Sequence, residues 1–327
     1  MSRISVLIAS SRIALLLAVL VTASAAGART FEFEYDVTVP PIPEGGEEIH
    51  LFVPLPAEDA RQRILSEEIE ASVPGVVETE PRYGNRYYHV RAPANDEPLR
   101  VTLRATVERR VARARAATPD EDLTPFLGES ARVKIGHPVL EPMLEEIRAI
   151  AGPGATPEKA RAIYDWVVDN MEYKKVGSGW GNGDTFWACS ERYGNCTDFH
   201  AMFTSLARTE GIPSRFEIGF PVPEDRSEGR IGGYHCWVEF HLPETGWFPI
   251  DASEAFKHPE KRELFYGTHP ADRIHFTTGR DLRLGSDHRG PALNYFVYPY
   301  VEVDGAPWKG EVEKTFRYRD VAPPASS

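Results

Sequence analysis

The period of the apolar pattern changes along this chain, and that change constrains the fold more than any single motif. From residue 30 to 115 the period is two. FEFEYDVTV, Phe31 to Val39, alternates apolar and polar, and LRVTLRATVERRV sets Leu99, Val101, Leu103, Ala105 and Val107 on one face, as half-buried strands do. EEIHLFVPLP and VVETEPRYGNRYYHVRA, the latter turning at Gly84-Asn85, read as further strands. From residue 136 the period is 3.6. HPVLEPMLEEIRAI places Leu140, Met143, Leu144 and Ile147 on one stripe. TPEKARAIYDWVVDNM opens with Thr156 as N-cap and Pro157 at the first helical position, and buries Ile163, Trp166 and Val167.

The expected architecture is therefore α+β: an N-terminal antiparallel β-sandwich-like domain at 30–115, a linker at 116–135 and a helix-rich domain at 136–260. Residues 261–327, with strand-like NYFVYPYVEV, read as a β-rich extension packed on that core. Arg109, Arg110, Arg113 and Arg115 read as the solvated end of a strand rather than as a binding stripe.

The first residues bound the compartment. Arg3 and Arg12, the apolar run Ile13 to Val21 and the small residues Ala23-Ser24-Ala25 form a secretory signal peptide over residues 1–25. No later stretch approaches the roughly 20 apolar residues of a membrane span, so the expected location is secreted or periplasmic with no integral membrane segment after signal removal. The net charge of −12, or −14 without Arg3 and Arg12, disfavours nucleic acid as a partner.

Three cysteines, Cys189, Cys196 and Cys236, are too few for a disulfide scaffold and leave at least one unpaired within the chain. Cys196 follows a glycine-rich loop, YKKVGSGWGNGDTFWACSERYGN, and opens a helical run marked by Phe199, Met202, Phe203, Leu206 and Ala207 that stops at Gly211-Ile212-Pro213. This helix is apolar over much of its surface, so it is expected to be central and packed on a sheet made by SRFEIGFPV, GGYHCWVEFHL and GWFPIDAS. A helix N-terminus favours a thiolate. Asp198 reads as a cap of that helix.

GGYHCWVEFHLPETGWFPIDAS is a hairpin whose turn is PETG. His235 and Asp251 are equidistant from residue 243, which would place them directly opposite one another on one face. The hairpin thus predicts an imidazole oriented by a carboxylate, with Trp237 packing on the same face and Cys236 pointing away into the core. A helix-mouth thiol with an oriented imidazole is a nucleophile and its base.

G-N-C-T-D-F-H, a helix ending A-R-x-x-G-I-P-S-R, then Y-H-C-W-V-E-F and G-W-F-P-I-D-A-S, resemble the transglutaminase-like superfamily of papain-fold cysteine enzymes over about residues 155 to 255. The resemblance implies that Cys196 is the nucleophile, His235 the base and Asp251 the third member of a triad. It implies an exported thiol enzyme acting on amide bonds of a peptide, protein or cell-wall peptide substrate through a thioester. Members include hydrolases, peptidases and cross-linking transamidases; a noncatalytic binding module on the same scaffold is the alternative from another class. Hydrolysis is the favoured outcome, because no lysine-binding tunnel is legible. No cofactor or metal is expected: there is no C-x-x-C pair and no EF-hand-like spacing, and a zinc set of Cys196, His200, His235 and Cys236 conflicts with strand alternation. Trp180, Asn182 and Trp187 are the candidate side-chain donors to an oxyanion, and Cys189 is open among pairing, lining the cleft and loop burial.

Overall fold

The computed structural model describes residues 27–42, 46–94, 96–116 and 121–322, so the segment read as a signal peptide lies outside the described residues. The alternating segments form strands as their pattern requires. β1 (Ala28–Val39) buries Phe31, Phe33, Tyr35, Val37 and Val39. β6 (Leu99–Arg110) lies antiparallel along its whole length, with Phe31 opposite Val107 and Val39 opposite Leu99. β2 (Glu48–Pro54), β3 (Gln62–Ala71), β4 (Val76–Thr79) and β5 (Arg86–Pro93) complete the N-terminal strands.

Those strands do not close a unit by themselves. The other edge of β1 would expose a row of unpaired backbone groups, and the C-terminus fills it. Numbering onward from β6, the longer strands are β7 (Ser214–Pro221), β8 (Glu228–Arg230), β9 (His235–Leu242), β10 (Gly246–Ile250), β11 (Arg273–Thr278), β12 (Tyr300–Val303), β13 (Ala306–Pro307) and β14 (Glu313–Asp320). β14 pairs with β1 so that Tyr318 faces Phe33 and Phe316 faces Tyr35. The first sheet runs β8-β14-β1-β6-β3 and the second β13-β12-β2-β5-β4. Both contribute to one apolar cluster that includes Phe31, Leu51, Val90, Leu103, Val301 and Phe316. Burying each such side chain contributes about 1.5–3 kcal/mol. The extension expected at 261–327 on the helical core is thus divided: β11 joins the core sheet, while β12, β13 and β14 complete the two sheets begun by the N-terminal strands.

The helical layer has five helices: α1 (Glu141–Ala151), α2 (Pro157–Asn170), α3 (Thr185–Glu191), α4 (Cys196–Thr209) and α5 (Ala252–Lys257). Thr156 caps α2 by accepting from Lys159 N. α4 is central, with every residue from Cys196 to Ala207 buried. Its Phe199, Met202, Phe203 and Leu206 pack between Leu144, Ile163 and Val167 of α1 and α2 and Val238, Phe240 and Leu242 of β9. β9 belongs to a four-stranded antiparallel sheet of order β10-β9-β7-β11. The glycine-rich stretch before α4, expected as loop throughout, contains α3, because Asp184 caps it by accepting from Phe186 N at 2.9 Å.

The opposite face of this sheet is polar and buried. Glu239 of β9 is gripped by Arg61 and Arg215, and Trp237 Nε1 donates to Glu217 Oε2 at 2.6 Å. Arg109 lies in this layer at 0% exposure, against the expectation of a solvated strand end. Its parity explains this: Arg109 continues the inward series Leu99 to Val107, while Arg110 and Arg113 are exposed. The described part of the expected linker is packed as well, Trp247 Nε1 donating to Glu121 Oε1 at 2.7 Å and the Phe126 ring meeting Trp247 edge-on at 5.1 Å.

Candidate active site

The mouth of α4 is built by a capping box. Asn195 Oδ1 accepts from Thr197 N at 2.9 Å, and Asp198 Oδ2 accepts from Asn195 N at 2.9 Å. Asp198 also accepts from Gly181 N at 2.6 Å and Gly183 N at 3.0 Å, which ties the glycine-rich loop over the helix end. Gly194 has no substitute here, since a Cβ on it would stand 2.1 Å from Asp198 Oδ2. Cys196 therefore emerges at a rigid helix N-terminus, 2% exposed.

The hairpin supplies the imidazole, in a register that differs from expectation. Val238 faces Ile250 and Leu242 faces Gly246, so the turn centres on Glu244 and Asp251 comes opposite Trp237 rather than His235. The turn has three residues, Pro243 to Thr245, with Thr245 N donating to Leu242 O, and the strand that follows begins with Gly246 at φ 68°. A slip of two residues keeps both side chains on the same face. Asp251 then leaves the strand as N-cap of α5, accepting from Glu254 N at 3.0 Å, and its Oδ2 reaches His235 Nε2 at 2.7 Å. With Nε2 held by Asp251, the other ring nitrogen of His235 is left for the neighbouring Cys196 thiol.

Asp251 is fully buried and heavily supported. Arg273 Nη1 of β11 donates to Oδ2 at 3.1 Å, Ser253 Oγ donates to Oδ1 at 3.1 Å, and His200 Nε2 lies 3.7 Å from Oδ1. Burial alone would raise its pKa, but His235, Arg273 and His200 hold it well below the ordinary carboxylate range. Burial would likewise lower His235, yet Asp251 and Cys196 push it up to about 10. Desolvation would raise the Cys196 thiol; hydrogen bonds from Cys236 and His235 and the charge on His235 reverse this and hold it well below its usual value. The favoured state is a thiolate beside an imidazolium.

Cys236 faces the helix side of β9, as alternation requires. It is not remote from the site, however, because the element packed there is the first turn of α4. Its Sγ is 3.7 Å from Thr197 Oγ1 and 3.6 Å from His200 Nδ1, which sets it beside Cys196. Burial and the neighbouring Cys196 raise its pKa. Cys189 sits on α3, half-buried, with its thiol pushed up to about 11 by burial.

Cys196 opens into a cavity of about 340 Å³ walled by Tyr173, Trp180, Asn182, Tyr234, Tyr295 and Tyr298, with Lys175 at its edge. Of the three expected oxyanion donors, Trp180 and Asn182 line it, but Trp180 Nε1 donates to Gly177 O and Asn182 Nδ2 to Gly179 O. Trp187 does not reach it: its Nε1 donates to Tyr193 O, and it borders a separate hollow with Phe186 and Ser190. The Tyr234 hydroxyl, missed in the sequence, accepts from Asn195 Nδ2 at 2.8 Å and stands 2.9 Å from Thr197 Oγ1. Its only signal was adjacency to His235. His200 was weighed only as a metal ligand, although its i+4 spacing from Cys196 places it on the same helix face. Arg273 had no local signal, since it is twenty-two residues beyond Asp251 on another strand.

Comparison with known proteins finds likenesses that include these residues. The model for the transglutaminase-like superfamily matches residues 145–252. An uncharacterized protein of Haemophilus influenzae is 28% identical over 335 residues, covering 89% of this chain and 90% of its own. The solved "Putative Cysteine Protease" of Cytophaga hutchinsonii superposes with a TM-score of 0.59 at 19% identity, covering 92% of this chain and 93% of that one; it shares the fold.

Proposed function

We propose that this chain, whose residues 145–252 form a transglutaminase-like core, is an exported thiol enzyme that cleaves amide bonds of peptides, proteins or cell-wall peptides. One observation carries the reading: the Cys196 thiol, at the N-terminus of α4 and on the wall of a cavity, neighbours His235, whose Nε2 is 2.7 Å from Asp251. Export rests on the basic and apolar residues 1–25, and among the described residues no helix is long and apolar enough to cross a membrane.

In the proposed reaction the Cys196 thiolate attacks the substrate carbonyl carbon, and the developing oxyanion meets the Cys196 backbone N–H at the positive end of α4. The His235 imidazolium gives its proton to the departing amine nitrogen as the C–N bond breaks, leaving a thioester. Neutral His235 then takes a proton from water, whose oxygen attacks the thioester and releases the acid and the Cys196 thiolate, which restores the thiolate–imidazolium pair. Asp251 keeps its charge throughout and orients the ring.

Water is the favoured acceptor over a lysine amine, since the cavity that Cys196 lines is open to solvent. The test is turnover of peptide and cell-wall peptide libraries followed by mass spectrometry, with and without a primary amine at low millimolar concentration. Hydrolysis products and a trapped acyl adduct on Cys196, absent from Cys196→Ala, are expected. Capture of most product by the amine would reassign the activity to cross-linking. Full turnover by folded Cys196→Ala would overturn the thioester route.

A further inference from the structure

On the second sheet, the face opposite the shared apolar core carries two buried histidines that no local motif links. β2 and β5 pair with His50 opposite Arg91 and Phe52 opposite His89, so His50 and His89 are diagonal neighbours on that face. His50 Nδ1 and His89 Nε2 point at each other across 2.9 Å. Each remaining ring nitrogen meets a carboxylate: His50 Nε2 lies 2.9 Å from Glu48 Oε2, and His89 Nδ1 lies 3.6 Å from Glu78 Oε1. Asp287, from the segment joining β11 to β12, brings a third donor, and one ligand atom from each of His50, His89 and Asp287 lies within 4.8 Å of the others. Phe52 fixes the rings, stacking on His89 at 4.5 Å and 8° and on His50 at 6.2 Å and 16°.

We propose that His50, His89 and Asp287 form a binding site for a divalent transition metal ion of the zinc class. Without an ion the two rings can form a simple hydrogen-bonded pair. If both rings are neutral, His50 Nε2–H donates to Glu48 and His89 Nε2–H donates to His50 Nδ1, which leaves the lone pair of His89 Nδ1 facing the Glu78 carboxylate. With an ion between the rings, His50 Nδ1 and His89 Nε2 are both ligands, and the outer N–H of each ring donates to its carboxylate. This is the pairing of metal-bound histidine with a supporting carboxylate. Metal–nitrogen bonds of about 2.0–2.1 Å in tetrahedral geometry ask for nitrogens about 3.3 Å apart with their lone pairs converging on the ion, so binding requires the rings both to part from 2.9 Å and to turn. Two imidazoles and a carboxylate suit zinc and its neighbours better than calcium or magnesium. An open hollow of about 500 Å³ beside His50 and Glu48 gives access.

The ion would be structural. Asp287 lies on the same crossing segment as Tyr295 and Tyr298, which wall the Cys196 cavity, so binding pins that segment to β2 and β5.

The test uses the purified chain, stripped with chelator and titrated with Zn²⁺ alone against a chromophoric chelator, with Co²⁺ absorption as a report of tetrahedral coordination. A single equivalent of tightly held Zn²⁺ is expected. His89→Gln and Asp287→Asn should each weaken it at least tenfold, and Glu78→Gln by about 10–100-fold. Cys196→Ala should leave it unchanged, separating this site from the His235, Asp251 and Glu254 cluster at the active site. Asp287 stands on a covering segment, so Asp287→Asn remains informative if His89→Gln fails to fold. Failure of the folded wild-type chain to bind Zn²⁺, binding undiminished in Asp287→Asn, or binding lost in Cys196→Ala would each overturn the proposal.

Discussion

Asp251 Oδ2 lies 2.7 Å from His235 Nε2 although the hairpin register places Asp251 opposite Trp237. The contact therefore depends on Asp251 ending its strand and capping α5, which turns its carboxylate diagonally across the hairpin. It also depends on Arg273, whose guanidinium reaches the same oxygen at 3.1 Å while lying over the Trp237 ring at 4.9 Å. The position of the carboxylate is set by three elements rather than by one pair of facing strands.

The three thiols should differ sharply in reactivity. An ordinary thiol is less than about one per cent ionised at pH 6, and burial raises both Cys189 and Cys236 above the usual value. Cys196 is lowered by its hydrogen-bonded partners and the His235 charge against its own burial. Iodoacetamide at pH 6 should label Cys196 first, at a rate nearly flat to about pH 8. In His235→Ala the rate should fall and then climb about tenfold per pH unit. Peptide mass mapping reads both results, and preferential labelling of Cys189 or Cys236 would mean the nucleophile is misplaced.

Asp251→Asn should reduce kcat by about 10³–10⁴ with KM little changed, because the imidazolium loses its orientation and its compensating charge. The variant should also change stability in a pH-dependent way. His235 is raised in the folded protein to about 10, so its contribution is fully present below the ordinary value near 6.5 and disappears as pH rises through about 10. The stability gap between wild type and Asp251→Asn should be widest just below about pH 6.5 and narrow as pH rises toward 10. Urea unfolding across that range measures it, and a gap that widened with pH would contradict the assignment.

Arg273→Met should destabilise the fold by up to about 3–5 kcal/mol, since it removes one of the two cations, Arg273 and His235, that face the buried Asp251 carboxylate. Arg273→Lys keeps the charge but not the planar group over Trp237, so an intermediate loss is expected. Equal losses in the two variants, read from denaturant midpoints, would assign the whole effect to packing.

His200 should make the protein acid-sensitive. It is fully buried, and desolvation lowers it to about 4 despite the opposing charges of Asp251 and Cys196. The unfolded chain therefore takes up the proton first, and stability is lost as pH falls from about 6.5 to about 4, by up to about 3 kcal/mol. His200→Gln should unfold with a flatter acid-side profile than wild type. An identical profile would show that His200 does not titrate in this way.

The elements whose geometry is local were legible in the sequence. Alternation placed Phe31 to Val39 and Leu99 to Val107 on buried faces, and Thr156 and Pro157 marked the start of α2. The loop, cap and helix sequence put Cys196 at a helix mouth, and an even separation put His235 and Asp251 on one face whether or not the register was right to two residues. Side-chain direction repeats every two or every 3.6 residues, so it survives small errors of register. The tertiary structure decided what depends on surfaces meeting across large sequence separations. It paired β14 with β1, drew Arg109 into a buried polar layer, and set Arg273 on Asp251. It also turned the core side of Cys236 into the flank of Cys196, and joined His50, His89 and Asp287 on one face. Such contacts carry no periodic signature, because each is fixed by the packing of whole elements rather than by the chain between its partners.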